Sequence, residues 1–228
     1  MSRSNPSERL PNPSTRWWEW NGQHGHLSFW DKDAQKRQVE PLPFGFLLLD
    51  ELATVTGWDD ASDSRIYCNE VRDTTRDPLV VKSFTGGTLY EGLYAKKDVE
   101  ATGGHFTTSL YVAYKQDDTY RLGNLKLNRS SLSAWVDFKR ETQKAKSSDL
   151  YTRAVVITGY SEGQKGSVKY RKPVFTLTDI TSAAESAALD LDRQLQAYLA
   201  SYLKRATVDQ AESHVAEPEP ITAESIPF

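Results

Sequence analysis

The sequence predicts a mainly β domain between two polar termini. Short runs rich in β-branched and aromatic residues alternate with Gly- and Asp-containing turns along most of the 228 residues. In the clearest run, residues 105–114, apolar, aromatic and Thr side chains recur at every second position, as on one face of a strand. Only two segments, 128–146 and 182–205, instead repeat apolar residues at spacings of three and four, which indicates helices.

The order of these elements predicts an OB-like barrel. From residue 79 onward the order is strand, strand, strand, helix, strand, strand, which is that of a five-stranded OB-like barrel with its helix between strands 3 and 4. Residues 17–71 would then be N-terminal β additions, and residues 182–205 a long C-terminal helix. The nine predicted strands are 17–20, 25–31, 44–49, 65–71, 79–84, 105–114, 119–127, 153–160 and 168–177.

Charge and composition divide the chain into three parts. Residues 1–15, rich in Pro, Ser and Asn, predict a flexible arm. Residues 16–205 form the predicted OB-like nucleic-acid-binding domain. Residues 206–228 contain five acidic residues and no Lys or Arg, which predicts a disordered acidic tail. The body is mildly basic, and the stretch 126–172 holds eleven basic residues against four acidic ones.

The compartment expected from the sequence is a cytoplasm, bacterial or that of an infected host cell. Cys68 is the only cysteine, so no internal disulfide can form. We interpret it as a buried small hydrophobic residue rather than a nucleophile. No apolar stretch approaches the roughly 18 residues of a membrane span, and the polar N-terminus lacks the apolar region of a signal peptide. No membrane association is therefore expected.

No recognisable motif for catalysis or cofactor binding is present, which predicts a protein without catalytic residues, cofactor or bound metal. The enzyme alternative is a metal-dependent nuclease or phosphodiesterase that uses Asp59, Asp60, Asp63 and Glu70, because carboxylate oxygens are ligands for Mg²⁺. We favour a solvated acidic loop for these residues. A further alternative is a phage structural component of the virion, which predicts a large apolar assembly surface and no continuous basic groove.

Aromatic and basic residues alternate in two places, and this pattern is typical of proteins that bind single-stranded DNA. Such proteins stack unpaired bases on exposed rings and hold the phosphates with Lys and Arg. In 16–20 and 168–172 the two residue types are interleaved within a predicted strand. The predicted DNA-binding residues are Trp18, Trp20, Arg72, Arg76, Lys82, Lys96, Lys97, Arg121, Lys169, Tyr170 and Arg171.

The end of the chain carries the most specific motif. After the acidic tail it reads Glu224, Ser225, Ile226, Pro227, Phe228. This resembles the tip of bacterial single-stranded DNA-binding proteins, and the OB-like body with an acidic tail ending in Phe is similar to phage single-stranded DNA-binding proteins of the T7 type. The resemblance implies that Ile226, Pro227 and Phe228 bind partner proteins of replication or repair. The acidic run before the tip is weaker here than in the bacterial family.

Together these patterns predict a sequence-nonspecific single-stranded DNA-binding protein that acts in DNA replication and recombination. Its partners would be single-stranded DNA and, through the tail tip, replication or repair proteins. The helix at 182–205 also suggests a homodimer, because Tyr198 and Tyr202 would be costly to expose together. Packing of this helix on its own barrel is the equal alternative.

Overall fold

The fold is mainly β, as predicted, with a C-terminal helix. In the computed structural model, residues 10–144 and 150–213 are described, with side chains up to residue 204. The strands are β1 Arg16–Asn21, β2 His26–Asp31, β3 Lys36–Glu40, β4 Phe44–Asp59, β5 Ser64–Cys68, β6 Leu79–Ser83, β7 Gly87–Gly92, β8 Gly104–Gln116, β9 Thr119–Asn128, β10 Ala154–Lys165 and β11 Val168–Thr178. The helices are α1 Lys96–Ala101, α2 Arg129–Lys144 and α3 Ser182–Ser213.

The strands form one mixed sheet in the order β3-β2-β1-β9-β8-β4-β5-β6-β7. Strands β1 and β9 run parallel, and the other neighbours run antiparallel. The hairpin β10–β11 joins the sheet beside the first residues of β4, where Phe44 pairs with Ile157 and Leu47 with Ala154. Strand β4 is long enough to pair with β8 along one edge and with both β10 and β5 along the other.

The sheet is curled but open, so the five-stranded OB-like barrel is not confirmed. The described strands end at three free edges, β3, β7 and β11, instead of closing into a ring. Neighbouring strands lie about 4.8 Å apart, so β1 and β5 would be about 19 Å apart in a flat sheet. Arg65 on β5 nevertheless contacts Glu19 on β1. The sheet therefore curves, and one of its faces is concave.

The opposite face carries the main hydrophobic core. Helix α2 and the hairpin β10–β11 pack against it through Trp135 and Phe175, whose rings meet edge to face at 5.2 Å between centroids. Lys139 on α2 donates to both carboxylate oxygens of Glu51 on β4, at 2.6 and 2.8 Å. Helix α2 begins and ends within two residues of the predicted helix, which is confirmed.

Helix α3 covers part of the concave face and uses its apolar stripe there. Leu195, Tyr198 and Leu199 are buried against Leu52 on β4 and Tyr111 on β8. The hydroxyl of Tyr202 also accepts a hydrogen bond from the backbone N–H of Glu70 at 2.8 Å. The stripe that suggested a homodimer is thus occupied by the protein's own sheet, and the homodimer prediction loses its basis at this helix.

The chain termini depart from the predicted boundaries where they are described. In the predicted arm 1–15, the backbone N–H of Thr15 donates to the carbonyl of Leu122 at 2.8 Å, so the end of the arm is fixed to the sheet. Helix α3 runs to Ser213, and the first part of the predicted tail 206–228 is therefore helical. Residues 1–9 and 214–228 lie outside the described residues. None of the described helices is long and apolar enough to cross a bilayer.

Candidate nucleic-acid interface

The concave face presents polar, basic and aromatic side chains beside the area that α3 covers. Residues that pair directly across neighbouring strands project to the same side of a sheet. The pairs on this face are Glu19 with Ser28, Glu19 with Lys126, Thr56 with His105, Trp58 with Arg65, and Tyr67 with Lys82. Side chains from strands far apart in the sequence therefore converge on one curved surface.

A large cleft opens at one end of this face, between the β1–β2 turn, the start of α2 and the hairpin β10–β11. Its volume is about 1060 Å³. We call it the basic cleft because five Lys or Arg side chains line it against one carboxylate. The basic residues are Arg37, Arg129, Lys165, Lys169 and Lys172, and the acid is Glu19. Side-chain amides and hydroxyls supply neutral hydrogen-bonding groups, from Asn21, Gln23, Asn128, Ser130 and Ser133.

The hairpin wall of the cleft is fixed to the β1–β2 turn through Arg171. The backbone N–H of Arg171 donates to the carbonyl of Gly22 at 2.7 Å, and Trp20 Nε1 donates to the carbonyl of Arg171 at 2.9 Å. Gly25 has a φ of +72°, and a Cβ there would lie 2.6 Å from Arg171 Cδ and from the Tyr160 ring. Glycine at this turn therefore allows the hairpin to approach.

The floor of the cleft contains an arginine beside a histidine that stays neutral. Arg129 is the first residue of α2, and its Nη2 contacts Nε2 of His105 on β8. Burial, followed by the charge of Arg129, lowers the pKa of His105. The imidazole is therefore uncharged at neutral pH, and its Nε2 accepts a hydrogen bond from the Arg129 guanidinium, which carries the only charge of the pair.

Exposed rings continue the cleft along β4, β5 and β6. Trp58 lines the cleft with 49% of its surface exposed, and Tyr67 and Phe84 are 51% and 81% exposed. Arg65 pairs with Trp58, and Lys82 pairs with Tyr67. Rings and cations thus alternate on a solvent-accessible surface, which is the arrangement that single-strand binders use.

The predicted tryptophans Trp18 and Trp20 are buried rather than exposed for stacking, and we correct their assignment. Trp18 is fully buried and its Nε1 donates to Glu40 Oε2 at 2.8 Å. Trp20 is 8% exposed, although it belongs to the cleft lining. Neither ring has a face open to a base, because both pack in the core behind the sheet.

The predicted basic residues are dispersed rather than gathered. Lys169 and Tyr170 line the cleft, and Lys82 lies on the concave face beyond it. The Arg171 guanidinium binds the carbonyl of Gln23 and supports the wall instead. The other five lie outside the cleft lining. Three of them form ion pairs: Arg72 with Asp50 at 2.8 Å, Arg76 with Asp73 at 3.5 Å and Lys96 with Glu100 at 3.8 Å. The remaining two are exposed, Lys97 at the start of α1 and Arg121 near the start of β9.

The carboxylates of the nuclease alternative do not converge. Asp59 accepts hydrogen bonds from Ser62 and from the backbone N–H of Ala61 in its own turn, and these lower its pKa. Glu70 accepts from Ser109 and Tyr111 at 2.6 Å each, under α3. In the described part of the chain, no three His, Cys, Asp or Glu side chains are placed to hold a metal ion.

The thiol of Cys68 is not activated as a nucleophile. Cys68 is partly exposed, but desolvation by burial raises the pKa of its thiol to about 11. A thiol with such a pKa is protonated at neutral pH, and the protonated form is a poor nucleophile. Cys68 packs against the core as expected, but it is partly rather than fully buried.

Sequence reasoning missed most of the residues that line the cleft. Arg37 lies on strand β3, which the sequence does not predict, and Trp58 lies near the end of β4, beyond the predicted strand 44–49. Arg129 and Lys165 flank turns and show no strand alternation. A usable signal was present only for Lys172, which belongs to the basic run 169–172 at the hairpin.

Comparisons with known proteins identify no relative, so the functional assignment depends on the geometry of the site. The sequence matches no protein-family profile, and no curated protein or solved structure is similar to it.

Proposed function

We propose that the protein binds single-stranded DNA in the basic cleft and on the adjoining rings of the concave face, in the service of DNA replication or recombination. The observation that carries the proposal is the alternation of exposed rings and cations that begins at Trp58 and Arg65 and continues into the cleft. Binding of this kind needs no catalytic group, since stacking and the release of counterions supply the affinity.

Unpaired strands fit this surface better than a duplex does. The half-exposed rings of Trp58 and Tyr67 offer stacking faces, and a duplex keeps its bases stacked on each other instead. The curvature of the sheet also suits a flexible chain that follows the groove, whereas duplex DNA is stiff over this length. The proposal does not require a closed barrel, because an open curled sheet carries the same surface.

We expect the protein to bind a labelled single-stranded oligonucleotide at least tenfold more tightly than a duplex of the same length. With five cleft cations engaged, the slope of log K against log salt concentration would be about −3.5 for a single strand, at about 0.7 for each phosphate. Fluorescence anisotropy titrations at several salt concentrations measure both quantities. Equal affinity for the duplex, or no binding at low salt, would contradict the proposal.

The resemblance at the chain end adds a second, separable part of the proposal. Ile226, Pro227 and Phe228 lie outside the described residues, and we propose that they recruit replication or repair proteins in the cytoplasm of a phage-infected cell. Phe228 is the only Phe, Tyr or Trp after Tyr202. Its ring and the terminal carboxylate form a short anchor for a basic, apolar pocket.

Deletion of residues 226–228 is expected to leave DNA affinity unchanged or slightly raised and to abolish recruitment of partners. The DNA affinity persists because the groove residues are intact and the three deleted residues carry no charged side chain. Pull-downs from host lysate with full-length and truncated protein, beside anisotropy titrations, measure the two effects. If both proteins bind the same partners, residues 226–228 do not recruit proteins, and their resemblance to the end of bacterial single-stranded DNA-binding proteins is accidental.

A further inference from the structure

Glu19 is the one carboxylate among the described residues of the cleft lining, and two arginines hold it. Arg37 on β3 donates to Oε2 from Nη1 at 3.3 Å and from Nη2 at 3.2 Å. Arg65 on β5 donates to Oε1. Each carboxylate oxygen therefore has its own guanidinium group, and the two groups come from opposite sides of the concave face.

Two guanidinium groups that converge on one anion are the arrangement with which proteins bind phosphate. The carboxylate of Glu19 marks the position that a phosphate would take. All three side chains are partly exposed, Glu19 at 35%, Arg37 at 48% and Arg65 at 57%. Ion pairs that water reaches are weak, so an incoming phosphate can displace the carboxylate.

The surroundings of Glu19 favour such an exchange. Lys126 pairs with Glu19 in register on the neighbouring strand β9 and forms no ion pair with another described carboxylate. A displaced Glu19 side chain thus has a cation beside it. The ring of Trp58, which pairs with Arg65, lies next to the same position and offers a stacking face to the adjacent base.

We propose that Arg37 and Arg65 form a phosphate-binding pair for the strand backbone, and that Glu19 occupies this pair in the free protein as an internal competitor. The inference rests on the proposed function, because the phosphate is that of the bound strand. It goes further because it gives Glu19 a role: the carboxylate limits the affinity for the strand, and it leaves the arginine pair when a phosphate binds there.

Substitution Glu19→Gln is expected to tighten binding of a single-stranded oligonucleotide about fivefold at low salt. That factor corresponds to one pair of unit charges about 4 Å apart in water. The salt slope should stay close to that of the parent protein, because the phosphate binds the same arginine pair in both complexes and the number of phosphate contacts is unchanged. Adding Arg65→Gln to Glu19→Gln should remove the gain. Anisotropy titrations measure affinity and slope, and circular dichroism checks that each variant folds.

Asp137→Asn is the matched control, because it removes one exposed carboxylate from an arginine pair on α2, outside the cleft. It changes the net charge by the same amount, so unchanged affinity in this control assigns the gain to the site. If the parent protein binds the oligonucleotide and Glu19→Gln binds no more tightly, the competitor role is overturned while the proposed function stands.

A second measurement tests the anion site without nucleic acid. Inorganic tripolyphosphate should raise the melting temperature of Glu19→Gln more than that of the parent protein, because a ligand that binds only the folded state stabilises it. The double variant Glu19→Gln/Arg65→Gln should lose this extra rise. If the parent protein binds no oligonucleotide, the proposed function fails, and this measurement alone decides the inference. Equal shifts in all three proteins would then overturn it.

Discussion

Replacement of Trp18 by Ala is expected to lower the free energy of unfolding by about 3–5 kcal/mol, the usual cost of removing a buried Trp. The indole is fully buried, with Phe44 at 4.9 Å and Tyr114 at 4.6 Å between ring centroids. A Cβ on Gly123 would lie 2.4 Å from the ring, so the neighbouring strand is already at contact distance. The substitution would leave a cavity and remove the hydrogen bond from Nε1 to Glu40, whose carboxylate keeps its ion pair with Arg16.

Urea denaturation followed by circular dichroism measures this loss, and Trp58→Ala is the matched control. Trp58 is 49% exposed, so its truncation should change stability by only about 0.5 kcal/mol. The same control should weaken oligonucleotide binding by about 1–3 kcal/mol, the contribution of one stacked base. A stable Trp18→Ala variant with impaired binding would instead restore Trp18 to the DNA surface.

The fold was predictable as far as local patterns reach. Strand alternation and helical spacing are local properties, and they placed β8, β9, β11 and helix α2 to within three residues. Strand β3, with the sequence Lys-Arg-Gln-Val-Glu, was missed because an edge strand with polar side chains on both faces carries no alternation. Element order predicted the barrel, but order does not determine which strands pair. The long strand β4, which bridges β8, β5 and β10, keeps the sheet open.

The candidate site was predictable in kind but not in detail. The sequence indicated rings interleaved with cations, and the structure has such a surface, yet built largely from other residues. Trp18 and Trp20 alternate with Trp17 along β1, and only pairing with β2 and β9 decides which side of the strand faces the core. Convergence of Arg37, Trp58 and Arg129 depends on the curl of the sheet. No local pattern records that curl.

Replacement of Lys165, Lys169 and Lys172 together by Gln is expected to weaken single-strand binding about a hundredfold at 0.1 M salt. All three line the cleft on the hairpin β10–β11, and none forms an ion pair with a described carboxylate. Each is therefore free to neutralise a phosphate. Loss of three contacts at about 0.7 each makes the salt slope shallower by about 2, which corresponds to two decades of affinity at that salt concentration.

The matched control replaces Lys96, Lys97 and Lys144 by Gln. These residues are exposed on α1 and α2, outside the cleft lining, and the net charge changes by the same amount. Stability should be unchanged in both triple variants, because surface substitutions of this kind cost about 0.5 kcal/mol or less each. Anisotropy titrations at several salt concentrations compare the DNA affinity of the cleft variant with that of the control variant. Equal losses in both variants would mean that overall charge, rather than the basic cleft, governs binding, since only a localised site distinguishes lysines by position.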